Sequence, residues 1–255
     1  MSSERVETFS VGGKPQIDIA VSSEDVTVIG GPAGEIGIRI DGENAGDYIV
    51  TQSADSVAVT APSGRLLSFS SGRLTVTIPE HTTVEVRTVS GDVHIRTAVF
   101  GLDVATASGD VRAGDVLGDV HIRAASGDCS FGDIEGALGV VTASGDVRAK
   151  TVSGSVSIAS ASGGVRIASV DGAVTFKTAS GDLTIDRFDG ATFDMKTMSG
   201  DVVLGIPRRR RLEIDLRLLA GGLRNRLPES DGSNHEKTIT IRAVGMSGDV
   251  TLRGV

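Results

Sequence analysis

Carboxylates recur in this chain at a fixed spacing. Ser-Gly pairs begin at Ser90, Ser108, Ser126, Ser144, Ser162, Ser180 and Ser199, and all but the one at Ser162 are followed by an aspartate: Asp92, Asp110, Asp128, Asp146, Asp182 and Asp201. Three chemistries use carboxylates. Cleavage of a glycosidic bond needs two of them flanking one bond. A calcium ion needs several oxygens converging on a point. A turn needs a single Asp whose oxygens accept nearby backbone N–H groups. A catalytic pair would stand out from its surroundings, whereas these residues return from period to period. Aromatic rings to stack a sugar are scarce, with no Trp, one Tyr and seven Phe. Calcium-binding solenoids use G-G-x-G-x-D, but here a period offers at most one Asp at the turn, beside a column that carries His94, Arg112, Arg148 and Arg166. The six aspartates are therefore read as a structural turn ladder whose charge the basic column offsets.

Other constellations are thinner. No G-x-S-x-G elbow is present. The four histidines, His81, His94, His121 and His235, lack metal-ligand spacing. Gly30-Gly31-Pro32-Ala33-Gly34 follows a strand pattern, but it departs from G-x-G-x-x-G and no helix follows to receive a phosphate. Cys129 falls where other repeats carry Val, a core position rather than a reactive thiol. The sharpest charge feature is Arg208-Arg209-Arg210-Arg211. It reads either as a solvated strand start that pairs with acidic neighbours or as a docking patch for an acidic partner, lipid headgroups or nucleic acid. No catalytic, metal or cofactor site is assigned, and the chain reads as non-enzymatic.

The elements that must carry these residues follow from the repeat. Its spacing is 18 residues five times, then 19. Counting from the Ser, apolar residues fall at positions 4, 6, 9, 13 and 15. Position 4 is Val93, Val111, Cys129, Val147, Val165 and Leu183, and position 6 is Ile95, Ala113, Phe131, Ala149, Ile167 and Ile185. Apolar-polar alternation with period two is strand periodicity. Positions 13 and 15 repeat it, for example at Val156 and Ile158. Each repeat thus holds two short strands joined by turns, with no room for a helix. That is one coil of an all-β, parallel β-solenoid, in which neighbouring coils bury what a single coil leaves exposed.

Composition fits a folded protein. The chain has 255 residues, 34 of them Gly without a collagen period, and a formal net charge of −8. That charge argues against general nucleic-acid binding. No stretch approaches the length of a transmembrane helix, and the start MSSERVETFSVGGKPQID lacks the apolar core of a signal peptide. A cytoplasmic location is the expectation.

Along the chain, residues 1–15 read as a lead-in or cap, and 16–89 as irregular early coils. Residues 90–202 are the regular repeats. Residues 203–255 are irregular closing coils, with a polar loop at 228–237 and a return to the repeat at Met246-Ser247-Gly248-Asp249-Val250. All are read as one continuous domain. The recurring SGDV, together with SGDVVLGIP, a Gly-Gly turn with LRNRLP and the closing SGDVTL, resembles the bacterial "putative adhesin" family of β-solenoid domains over residues 16–255. The resemblance implies the fold and, for some members, envelope-associated interaction. It supplies no catalytic residues. The expected function is a scaffold or interaction module with an unidentified protein partner or with self-association through the solenoid ends. An envelope-associated adhesin or stress-response protein is the alternative, and a glycan-active enzyme a distant third.

Overall fold

Alternating apolar residues form strands wherever the repeat runs, and no α-helix occurs among the described residues. These are residues 3–42, 44–62, 72–227 and 237–255 of a computed structural model. Apart from Lys237, the polar loop read at 228–237 lies outside them. The chain divides into two compact units, Met1–Gly132 and Asp133–Val255.

The first unit holds β1 (Ser3–Ser10), β2 (Gln16–Ala20), β3 (Asp25–Gly30), β4 (Glu35–Gly42), β5 (Ile49–Ser53), β6 (Ser56–Thr60), β7 (Arg73–Ile78), β8 (Thr83–Thr88), β9 (Val93–Ile95), β10 (Gly101–Thr106), β11 (Val111–Ala113), β12 (Val120–Ala124) and most of β13 (Cys129–Ile134). A 3-10 turn spans Ala45–Asp47. One stack runs β1-β4-β7-β3-β9-β11-β13, the other β12-β10-β8-β2-β6-β5. Within the repeats pairing is parallel and in register, so Val93, Val111 and Cys129 line up, and so do Val84, Leu102 and Val120. The end strands depart from this pattern. β1 on β4, β4 on β7 and β5 on β6 are antiparallel.

The second unit holds β14 (Leu138–Thr142), β15 (Val147–Val152), β16 (Val156–Ser162), β17 (Val165–Val170), β18 (Val174–Ser180), β19 (Leu183–Phe188), β20 (Thr192–Ser199), β21 (Val202–Ile206), β22 (Arg210–Ala220), β23 (Leu223–Arg226), β24 (Lys237–Ser247) and β25 (Val250–Gly254). Odd-numbered strands from β15 stack as β15-β17-β19-β21-β25-β23, and even-numbered ones as β14-β16-β18-β20-β24-β22. Each coil gives one strand to each stack, which is a β-solenoid. A one-residue slip would turn every core side chain to solvent. The columns show why that does not happen. Val147, Val165, Leu183, Val202 and Val250 superpose, and so do Val156, Val174, Phe193 and Ile241 across the core. All nine are buried. Phe188 and Phe193 close the core edge-to-face, with centroids 5.9 Å apart.

The order of stacking departs from chain order at the C-terminal end. The closing repeat, β24 and β25, is inserted between β20–β21 and β22–β23, so the earlier coil is outermost. Apolar pattern sets which face of a strand is buried. It does not say which neighbour the strand takes.

Candidate functional site

The repeat aspartates join successive coils. The amide of Asp110 donates to Asp92 Oδ1 at 2.8 Å, and that of Asp128 to Asp110 Oδ1 at 2.9 Å. In the second unit the amide of Gly164 donates to Asp146 Oδ1, that of Asp201 to Asp182 Oδ1 and that of Asp249 to Asp201 Oδ1, all at 2.8–2.9 Å. At Asp110 and Asp146 the other oxygen takes the arginine two residues on. Arg112 reaches Asp110 Oδ2, and Arg148 reaches Asp146 Oδ2, each at 2.7 Å. Both oxygens of Asp110 and Asp146 are thus engaged. The acceptor is used between coils rather than within a local turn, because in-register stacking lays the next amide over it.

The four arginines separate. Arg210 turns back and grips Asp189 through Nε and Nη2 at 3.0 and 3.1 Å, with both side chains largely buried. Lys237 Nζ stands 3.8 Å from the same carboxylate. The Arg210 hydrogen bond above all, with the charges of Arg210, Lys237 and Arg187, holds the Asp189 carboxyl below its ordinary value despite partial burial. Arg208, Arg209 and Arg211 are exposed around the start of β22. The run therefore supplies one bidentate pair, Arg210 on Asp189, and three exposed arginines beside it.

The remaining candidates lie apart. His94 and His121 sit on β9 and β12, and His81 is in an exposed turn, while His235 is outside the described residues. Cys129 is buried at 2% exposure, and burial, then Asp128 and Asp110, push its thiol up to about 11. Gly31 donates its amide to Ile78 and Gly34 offers its carbonyl to Val11, so the Gly-rich loop is spent on backbone bonds. Among the described residues no three His, Cys, Asp or Glu converge as metal ligands.

Two features escaped the sequence reading. The first is a buried carboxylate. Glu24, in a worn turn before β3, accepts the hydroxyl of Tyr48 on Oε1 and the amides of Ser22 and Ser23 on Oε2 at 2.8 and 2.9 Å. Burial alone pushes this carboxyl up, but the three donors outweigh it and bring it below its ordinary value. Burial and the bond to Glu24 hold the Tyr48 hydroxyl well above its usual range. The signal available was the chain's single Tyr.

The second is a groove on the outer face of the even-numbered stack of the second unit, about 900 Å³ in volume. In this unit the residue before the Ser-Gly pair that starts each repeat is exposed. Ala161, Ala179, Met198, Met246 and the corresponding Leu219 form an apolar row along it. Leu219 is 83% exposed and Met198 59%. A parallel row, fixed by register, runs Val141, Ala159, Lys177, Lys196, Val244 and Arg217. Lys177 and Lys196 are direct cross-strand neighbours, and neither has an ion-pair partner among the described residues. Ala143, Ala161 and Ala179 belong to the printed repeat, so the row was readable. What the repeat could not give is that Met198, Met246 and Leu219 end up adjacent.

The family model described as Toastrack DUF4097 matches residues 14–253. Among curated proteins none matches the chain. Among solved structures, a "putative adhesin" from Bacteroides fragilis NCTC 9343 is 15% identical, with 98% of this chain and 97% of that one covered, at a TM-score of 0.50. A "putative lipid binding protein" from Parabacteroides distasonis ATCC 8503 is 12% identical, with 97% and 96% covered, at 0.45. A "putative adhesin" from the same organism is 10% identical, with 98% and 97% covered, at 0.42.

Proposed function

Because the chain belongs to the Toastrack DUF4097 family, an adhesin-like β-solenoid domain, we propose that it is a non-enzymatic scaffold that docks a protein partner on the outer face of its second unit. The observation that carries this reading is the apolar row beside the stacked Lys177–Lys196 pair. Exposed contiguous apolar surface rimmed by charge marks interaction sites. Two like charges opposite each other across strands destabilise a sheet, so an acidic partner that neutralises them gains on binding. The partner segment is apolar along one side and acidic beside it. Envelope association is a second reading, supported by the adhesin name of the Bacteroides fragilis structure. No helix of the described residues is long and apolar enough to cross a membrane, which says nothing of a β-barrel.

The test is photo-crosslinking in native cells. A photoreactive phenylalanine analogue in place of Ala179 is expected to trap one dominant partner. The double variant Lys177→Glu/Lys196→Glu is expected to cut that adduct by about tenfold or more, since like charges then face each other. An adduct that the charge reversal leaves intact counts against this surface.

A further inference from the structure

The outermost coil of the second unit presents two very different edges. β22 is 11 residues long. It pairs with β24 on one side, and among the described residues no strand pairs with the other. Its inward residues Leu212, Ile214, Leu216 and Leu218 stack on Ile239, Ile241, Ala243 and Gly245. Ile239, Ile241 and Ala243 are fully buried, yet Ile214 keeps 37% of its surface in solvent. Among the described residues, the core columns therefore run to the edge and stop without a strand over them. β23, the sister edge, is blunted. It has four residues, all exposed, and Asn225 stands over Leu252, where an inner coil would place an aliphatic residue. A polar residue at a core position and a short strand are devices that discourage strand addition. β22 carries neither.

We propose that a second copy of this chain occupies the β22 edge, the two strands pairing antiparallel about a two-fold axis through Leu216. In such a pair the same patch meets itself, and residues equidistant from the axis face one another. With the axis at Leu216, Asp215 of each copy faces Arg217 of the other, Ile214 faces Leu218 and Leu212 faces Ala220. Nearby registers fail on charge. An axis at Ile214 sets Glu213 against Asp215 and Arg211 against Arg217, and an axis at Asp215 or Arg217 sets that residue against itself. The Asp215–Arg217 pair within one strand is 3.3 Å and well exposed, so exchanging it for the intermolecular pair forfeits little. The added strand covers the half-exposed Leu212–Leu218 face and satisfies the open backbone edge. This dimer does not depend on the outer-face docking surface proposed above.

Sedimentation equilibrium of the full chain tests it. The wild type is expected to be a dimer. Asp215→Arg and Arg217→Asp, both at exposed positions, are each expected to weaken association by about tenfold or more, since two attractive cross-strand pairs become repulsive. An equimolar mixture of the two variants is expected to recover the dimer, because each copy then opposes two charges of one sign with two of the other. Circular dichroism checks that both variants fold. A monomeric wild type up to about 0.1 mM, a variant that associates as the wild type does, or a mixture that fails to recover would overturn the proposal. A wild-type chain that stays monomeric but crosslinks through Ala179 would leave the outer-face reading standing alone.

Discussion

Gly163→Ala is expected to destabilise the second unit by about 4 kcal/mol or more. The φ of Gly163 is +123°, a region closed to residues with a Cβ. A Cβ there would lie 2.2 Å from the carbonyl oxygen of Gly145 and 2.9 Å from its carbon. The same contact recurs one coil on, where Gly181 meets Gly163 at 2.4 Å, then where Gly200 meets Gly181 at 2.1 Å, and again where Gly248 meets Gly200 at 2.1 Å. The column is tight because adjacent coils are spaced by their backbone hydrogen bonds, at about 4.8 Å. Val147 donates to Gly164 O and Val165 to Asp182 O, at 2.9 and 2.8 Å. The coils cannot part to admit a methyl group without breaking bonds on both sides. Backbone strain alone costs about 1–3 kcal/mol, and the clash raises the total to about 4 kcal/mol or more, against a domain stability of about 5–15 kcal/mol. Gly222→Ala is the matched control, since a Cβ there meets nothing within 4 Å. It should change stability by less than about 1 kcal/mol. Urea unfolding followed by circular dichroism reads both. If Gly163→Ala unfolds alongside Gly222→Ala, the close stacking described here is wrong.

Glu24→Ala is expected to destabilise the first unit by about 3 kcal/mol at neutral pH. The change strips the acceptor from three donors at once, the Tyr48 hydroxyl and the amides of Ser22 and Ser23, in a site where Glu24 is 7% and Tyr48 8% exposed. Tyr48 follows the 3-10 turn Ala45–Asp47, so that segment loses its anchor as well. The effect depends on pH in a fixed direction. The folded carboxyl is lowered, so its contribution is fully present above the unfolded value of about 4.3. It is lost as pH falls through the lowered folded value. Tyr48 is raised, so its contribution is full below about 10 and fades as pH rises toward the higher native value. The stability gap between wild type and Glu24→Ala should therefore be flat through neutral pH and shrink on acidification below about pH 4. A gap that stays constant down to pH 2–3 would mean that Glu24 is not held as a hydrogen-bonded carboxylate.

The regular coils were legible in the sequence, because period-two apolar residues at an 18-residue repeat leave one arrangement that buries them all. Val147, Val165 and Leu183 could be stacked on paper. The ends were less legible. Nothing in Met246–Leu252 marks it as an inserted coil rather than a terminal one, because its pattern suits either neighbour. Glu24 and Tyr48 meet through two irregular segments, so no period links them. The aspartates were readable as repeated turn residues, but their bond to the next coil depends on a spacing that only stacking creates. The arginine run looked uniform, and the partner that singles out Arg210 is Asp189, in the turn after β19. The groove is a property of the stack. Met198 and Met246 are 48 positions apart in sequence yet bracketed by the paired Thr197–Gly245 and Ser199–Ser247.

Every surface described here depends on residues one repeat apart standing side by side. Disulfide trapping measures that directly. Ser157 and Thr175 are register partners on β16 and β18. Their Cα atoms lie near the strand spacing of about 4.8 Å, inside the range a disulfide accepts. The double variant Ser157→Cys/Thr175→Cys is expected to oxidise to an intramolecular disulfide in the native state. Ser157→Cys/Lys177→Cys, two residues out of register and beyond about 7 Å, is expected to stay reduced. Oxidation of the shifted pair, with the in-register pair left free, would contradict the 18-residue stacking and the groove and dimer surfaces built on it.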